Sequence, residues 1–296
     1  MDNLVIKVGI IGFSEANGHP YSFSSIINGY NEKNYQKSNW KLILNYLKKQ
    51  PEENFGFDDV MVTHAYTQDP EITESICKCS NIPNKCLNLD DFYGSIDAVI
   101  IGRDDWRSHF RLSIEFLKRG IPVFIDKPLS LSQNELNQFR PYIESAKLMS
   151  CSGFRYCTEL ESIKLKREIV DNQIKIDGFV VNDLEKYGIH LIEALAGVSK
   201  KFSSFKSIRR LKNENHSFLI TFDDNSEFNL NCMGKVEKIF NLQFIFGENK
   251  ISINLENNFM AFRRTLYEFF NMIKTKNVPI DFSETNNIMR LIMEAS

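Results

Sequence analysis

A lysine is usually a solvated surface charge, but Lys127 stands in Asp126-Lys127-Pro128, directly after the apolar run IPVFI at 121–125. That run reads as a buried strand, so the lysine falls at a strand's carboxyl end, where parallel sheets bind ligands, and the proline restricts the backbone before it. An ammonium held there against a cofactor ring gives up its proton more readily and can exchange it with a substrate hydroxyl. A second place for chemistry is Gly12-Phe13-Ser14-Glu15-Ala16-Asn17-Gly18 after the first apolar run. A dinucleotide fingerprint would read G-x-G-x-x-G. Here Ser14 and Asn17 replace the second and third glycines, which weakens close backbone approach to a pyrophosphate and tight helix packing. Alone, the stretch is either a phosphate-binding turn or a plain strand-to-loop turn. His190 opens a helical apolar pattern with Leu191, Ile192 and Leu195, and spacing alone favours a core histidine.

These residues need a scaffold, and the first half of the chain supplies one. Strand patterns over 4–11, 60–65, 97–101, 121–125 and around 148–152 alternate with helical ones. Phe110, Ile114 and Leu117 recur at helical spacing before Gly120, and Ser132 with Glu135 has the form of a capping box. Repeated strand-helix-strand units build a doubly wound parallel sheet. The segment 13–59 is longer than one helix and its loops require, so it holds an insertion, either a lid over a ligand or a contact with another subunit.

The second half has another rhythm. A helix-like stretch at 158–170 precedes alternating segments at 174–181, 205–211, 217–222, 227–233, 242–246 and 250–255. Short polar connections at Asp223-Asp224-Asn225 and Gly247-Glu248-Asn249 mark hairpins. Two helical patterns close the chain, the last still running at Ser296. The expected fold is an α/β Rossmann domain over 1–153 followed by an α+β domain over 154–296 with a largely antiparallel open sheet.

With the elements in place, the residues carry a resemblance. VGIIG at 8–12, IDAVIIGRDDWRSHF at 96–110 and SIEFLKRGIPVFIDKPLSLS at 113–132 resemble the Gfo/Idh/MocA oxidoreductases, whose Glu-Lys-Pro is Asp126-Lys127-Pro128 here. The resemblance implies that NAD or NADP is bound and that a hydroxyl or ketone of a sugar, cyclitol or nucleotide-sugar is the substrate. Gly12, Phe13, Ser14, Thr67, Gln68, Arg103, Trp106, Asp126 and Lys127 are then expected at the cofactor, with Lys127 also near the substrate. A second family pattern, Asp-x-Gly-x-His-x-x-Asp, partly matches Lys186-Tyr187-Gly188-Ile189-His190-Leu191-Ile192-Glu193. It implies that His190 relays a proton while hydride moves, and it makes Lys127 and His190 the expected catalytic pair.

The departures are specific. Lys186 stands where relatives often carry an aspartate; it either meets an anionic substrate group or is a surface side chain. Thr67 occupies the place of the ribose-binding acid, with Asp69 as a substitute for NAD and no arginine ready for the 2′-phosphate of NADP. After the third strand, Arg103 is expected at the phosphates and Trp106 over the nicotinamide, whereas Asp105 and His109 read as a capped helix start. Arg155 either contacts substrate or packs between domains; with Lys186 and Tyr187 it completes the expected substrate contacts. Two other readings keep the fold: a cofactor or sugar sensor without efficient chemistry, and a redox-neutral elimination or epimerisation with recycled cofactor.

Composition narrows the class. The 296 residues hold 36 Lys and Arg against 38 Asp and Glu, a formal charge of −2, so no basic excess exists to neutralise a nucleic-acid backbone. No apolar run approaches a membrane span, and the opening MDNLVIKVGIIGFSE turns polar too soon for a signal peptide. A cytoplasmic protein is expected. The six cysteines lack regular spacing and read as free thiols, and Cys77, Cys79 and Cys86 with His64 lack the paired spacing of a metal site. The 24 phenylalanines belong to two cores, and several on an open sheet face fit a homo-oligomer formed through the antiparallel sheet.

Overall fold

In a computed structural model, residues 5–211 and 216–295 are described. The chain divides into two compact units. The first comprises 1–126, 145–149 and 269–277; the second comprises 127–144, 150–268 and 278–296.

Strands β1 (Ile6–Ile11), β2 (Val60–Tyr66), β3 (Asn84–Lys85), β4 (Ala98–Ile101), β5 (Val123–Asp126) and β6 (Leu148–Cys151) form a six-stranded parallel sheet in the order β3-β2-β1-β4-β5-β6. This is the expected doubly wound sheet, with the two-residue edge strand β3 added; Leu4, placed at the start of the first strand, lies outside the described residues. All four residues of β4 and Val123, Phe124 and Ile125 of β5 are buried, which is why these strands are continuous apolar runs rather than alternating ones. The strand order reverses between β1 and β4. In sheets of this kind such a reversal point is where ligands bind, beyond the carboxyl ends of the strands.

The inserted segment folds as α1 (His19–Asn28), α2 (Glu32–Lys37) and α3 (Lys41–Leu47). It is built into the first unit: Tyr35 is fully buried, its hydroxyl lies 2.7 Å from Ser25 Oγ, and that oxygen lies 2.9 Å from Ser80 Oγ at the end of α4 (Pro70–Cys79). A Cβ on Gly18 would sit 2.6 Å from both Trp40 and Ile43, so the turn into α1 is closed over by the start of α3. Helix α5 (Trp106–Lys118) joins β4 to β5 and ends, as expected, just before Gly120 at φ 77°.

The second unit begins with α6 (Gln133–Glu144). The capping box forms only in part. Ser132 Oγ accepts the Glu135 N–H at 3.5 Å, but the Glu135 carboxylate takes the Ser130 hydroxyl at 2.5 Å, and the Ser132 N–H it would otherwise accept goes to Ser130 Oγ at 3.1 Å. The stretch 158–170 is not one helix. It breaks into a 3₁₀ turn, α7 (Glu161–Lys164) and α8 (Arg167–Val170), with Lys166 extended between them. Ile163 and Ile169 are both fully buried; on a continuous helix they would lie about 120° apart, and the break turns both inward.

The second sheet holds β7 (Lys175–Val180), β8 (Phe205–Arg210), β9 (His216–Phe222), β10 (Glu227–Cys232), β11 (Phe240–Phe246) and β12 (Asn249–Asn254), ordered β12-β11-β7-β10-β9-β8. The hairpins are antiparallel as expected, but β7 and β10 at the centre run parallel, so the sheet is mixed. Ile176, Val180, Phe228, Leu230, Cys232, Leu242 and Phe244 make its buried face. Helices α9 (Ile189–Val198), α10 (Asn258–Thr275) and α11 (Phe282–Ala295) complete the chain, with the last residues of α10, from Phe269, counted in the first unit.

Helix α9 lies close on the 3₁₀ turn Gly153–Tyr156, and Gly197 is what allows it: a Cβ there would stand 2.1 Å from the Arg155 carbonyl oxygen. An unhindered Gly→Ala change in a helix gains about 1 kcal/mol. Gly197→Ala is expected to reverse that sign and cost about 3 kcal/mol through overpacking against rigid backbone, read as a lowered urea midpoint at unchanged slope.

Candidate functional site

In the first unit the loops after β1, β2 and β4 are tied together. The Gln68 side chain pairs with the backbone of Phe13, accepting its N–H at 3.1 Å and donating to its carbonyl at 2.6 Å. Arg103 Nη1 donates to the same Gln68 Oε1 at 2.9 Å, and its Nε and Nη2 form a bidentate pair with Asp105 at 2.7 and 2.8 Å. Ser14 Oγ donates to Asp104 at 2.6 Å and receives the Asp104 N–H at 3.2 Å. A Cβ on Gly12 would meet Pro20 at 2.7 Å, and one on Gly102 would meet the same proline at 3.2 Å. Both loops therefore present backbone rather than side chains at these points.

Several expected residues are committed within this unit. Thr67 is buried, its hydroxyl donating to the Asp69 carbonyl at 2.6 Å and lying 2.9 Å from Thr73 Oγ1; Asp69 is the N-cap of α4, accepting the Glu71 and Ile72 N–H groups. Asp105 occupies the N-cap position of α5 without a side-chain capping bond. Burial raises its pKa, yet the Arg103 fork outweighs this and leaves it low. His109 is fully buried, its Nε2 3.0 Å from the Arg103 carbonyl, and Trp106 is half-buried under the Arg107 guanidinium at 4.4 Å. Cys77, Cys79 and Cys86 are buried free thiols, pushed by that burial up to about 12, 11 and 11.

Asp126 ends β5 at 2% exposure, and its partner is one the sequence reading passed over. His19 Nδ1 lies 2.5 Å from Asp126 Oδ2, and Asn17 Nδ2 donates to the same oxygen at 3.4 Å while its Oδ1 accepts the His19 N–H at 2.8 Å. Asn17, the residue in place of the third glycine, thus binds the start of α1 to the carboxyl end of β5. Gly18-His19-Pro20 stood out only as part of an insertion, and nothing in its spacing pointed at Asp126.

The second unit brings together the other expected groups. Lys127 is 4% exposed, and its Nζ donates to the Lys186 carbonyl at 2.8 Å. That carbonyl belongs to a single π-turn, Leu184–Gly188, in which the Gly188 N–H reaches back five residues to Asp183 at 2.9 Å. Such turns displace the regular ladder and occur often at functional sites. Lys186 is exposed, its N–H capped by the Asp183 carboxylate at 2.8 Å. His190 follows on the first turn of α9. Its Nδ1 is 2.6 Å from Ser152 Oγ, and its ring packs among Phe154, Phe240 and Tyr187 with centroids at 4.9, 5.6 and 6.3 Å.

Residues 39–154 match the profile described as "Oxidoreductase family, NAD-binding Rossmann fold". The matching profile is that of the Gfo/Idh/MocA oxidoreductases. Among solved structures, scyllo-inositol dehydrogenase from Lactobacillus casei superposes at TM-score 0.74 with 16% identity, covering 100% of this chain and 97% of that one. Myo-inositol 2-dehydrogenase from Lactobacillus plantarum gives 0.74 at 14% identity, covering 97% and 95%. UDP-N-acetylglucosamine 3-dehydrogenase from Acidithiobacillus ferrooxidans gives 0.70 at 12% identity, covering 99% and 96%. At these identities the likeness is one of fold. No curated protein sequence matches the chain. Among the described residues, no helix is long and apolar enough to cross a membrane.

The Gfo/Idh/MocA motifs end here in a buried ion triad. Glu193, at the last position of the histidine pattern, accepts Arg155 Nε at 2.6 Å, and Arg155 Nη1 pairs with Glu284 of α11. Glu284 had no visible signal in the sequence. All three side chains are at most 6% exposed. Burial alone would lower the Arg155 pKa, but the two carboxylates outweigh it and keep the guanidinium charged. One cation faces two carboxylates, and burial, aided by Glu284, raises Glu193 above the usual carboxylate range although Arg155 opposes the shift.

Arg155→Met would leave two buried carboxylates uncompensated and is expected to cost about 3–5 kcal/mol. For Glu193 the folded pKa is raised above the unfolded value, so its contribution is fully present below the unfolded pKa and is lost as pH rises through the folded one. Glu193→Gln removes that loss. The Tm of the variant relative to wild type should therefore climb between pH 4 and pH 8, measured by scanning calorimetry in matched buffers.

Proposed function

We propose that this chain is an NAD(P)-dependent dehydrogenase acting on a secondary alcohol, or the corresponding ketone, of a sugar, cyclitol or nucleotide-sugar, with Lys127 and His190 handling the proton. The observation that carries this reading is the hydrogen bond from Lys127 Nζ to the Lys186 carbonyl. It fixes the amine against the π-turn that leads into His190, so a hydrogen-bond donor and an imidazole are held to one short stretch of backbone. The family match over 39–154 supports an NAD-binding oxidoreductase, and inositol and nucleotide-sugar dehydrogenases stand among the structural neighbours.

The dinucleotide would lie at the β1/β4 switch point. Gly12, Phe13 and Ser14 after β1, with Gly102 and Arg103 after β4, would hold it, because Pro20 excludes side chains from both glycine positions and leaves backbone to approach the phosphates. Asp126 and Trp106 close the set. The bound nicotinamide supplies the hydride acceptor or donor. His190, with Nδ1 committed to Ser152, exchanges the substrate hydroxyl proton at Nε2, and Lys127 donates a hydrogen bond to the same oxygen as its charge develops. Tyr187, stacked on Phe240 at 6.3 Å, borders the substrate beside His190.

Titration with NADH and NADPH separately, followed by nicotinamide fluorescence and thermal stability, is expected to give saturable binding and a raised Tm with at least one of them. In a screen of cyclitols and sugars, Lys127→Ala and His190→Ala should each lower kcat by about 10²–10⁴-fold while leaving cofactor affinity within about twofold. Binding of neither nucleotide to folded protein would remove the dehydrogenase reading.

A further inference from the structure

In the histidine pattern of this family the acid that would partner His190 is replaced by Lys186, and Lys186 is exposed, with its backbone rather than its side chain engaged by Lys127. The group that does hold the imidazole comes from elsewhere in the sequence. Ser152, fully buried at the end of β6, places its Oγ 2.6 Å from His190 Nδ1. The same oxygen accepts the Phe154 N–H at 3.1 Å, and the Ser152 carbonyl accepts the Arg155 N–H at 3.1 Å. The serine is thus held by the turn that follows it at both its hydroxyl and its backbone, and Arg155 of that turn is itself paired with Glu193 and Glu284.

We propose that Ser152 is the positioning residue for His190, standing in for the missing acid: it fixes the ring orientation and directs Nε2 to the substrate hydroxyl. The proposal rests on the dehydrogenase reading for its kinetic consequence, though not for its geometry. A neutral hydroxyl does a different job from a carboxylate. It orients the ring without adding a negative charge to stabilise the imidazolium, so the ring's protonation answers to the other groups around it. From the packed elements these are the phenol of Tyr187 on the π-turn, the Lys127 ammonium on the Lys186 carbonyl, the Lys238 ammonium 5.6 Å from the centroid of the Phe240 ring, and Glu193 three residues along α9, already paired with Arg155. Phe154 and Phe240 supply apolar walls that restrict ring rotation.

The test compares full-length wild type, Ser152→Ala and Ser152→Thr, with His190→Gln used to assign the His190 ring signals in long-range nitrogen–proton spectra. Ser152→Ala should move the His190 ring-nitrogen shifts away from their wild-type values, and Ser152→Thr should hold them near wild type. With a turned-over alcohol, Ser152→Ala should lower kcat by about tenfold or more, leave KM and NADH affinity within about twofold, and displace the pH limb that His190→Gln abolishes; Ser152→Thr should restore most of the rate. Unchanged ring shifts in Ser152→Ala, or a lowered Tm with an unaltered pH profile, would overturn the proposal and leave Ser152 a cap for the Phe154 N–H. If wild type turns over no alcohol, the dehydrogenase reading fails, and the ring shifts alone decide whether Ser152 positions the imidazole.

Discussion

An ammonium removed from water must find an acceptor or surrender its charge, and at Lys127 this requirement ties the residue that follows β5 to the start of α9 in the second unit. The acceptor is the Lys186 carbonyl, which lies inside the π-turn Leu184–Gly188. Asp183 then caps the turn by accepting the Lys186 N–H. The irregular backbone, the buried amine and the placement of His190 at the first turn of α9 are therefore one arrangement.

The first unit meets a comparable demand with different chemistry. Asp126 is nearly inaccessible and shorter by one methylene than the glutamate of the family motif. Asn17 and His19 come to it from the start of α1. Two departures, an asparagine in place of a glycine and an aspartate in place of a glutamate, thus account for each other: the polar tie does the close helix–strand coupling that the third glycine otherwise permits. Had Asn17 been glycine, the Asp126 carboxylate would have lost one of its two donors.

Most of the architecture was legible because its signals were local. Continuous apolar runs marked the buried parallel strands, and short polar connections marked the hairpins of the second sheet. The parallel pairing of β7 with β10 was not legible, because strand direction within a mixed sheet depends on which distant strands meet. Nor was the break at Lys166, where the burial of Ile163 and Ile169 overrides a helical pattern. At the site, Lys127 and His190 were readable from their motifs, whereas His19, Ser152 and Glu284 were not: each acts through a partner 38 to 129 residues away in sequence, and no period or spacing encodes such pairs. Thr67 and Arg155 show the converse, side chains whose type suggested ligand contact but whose hydrogen bonds are spent on the neighbouring turn and on an ion pair.

The missing side chain at Gly197 reaches further than packing. With the α9 backbone resting on the carbonyl of Arg155, the helix that bears His190 and the turn that follows Ser152 have almost no clearance in which to slide. Fluctuations of the strand end and of the helix are then correlated, and the spread of distances between the serine oxygen and the imidazole narrows accordingly. A position with no functional group at all thus limits how far the imidazole can drift from the oxygen that holds it.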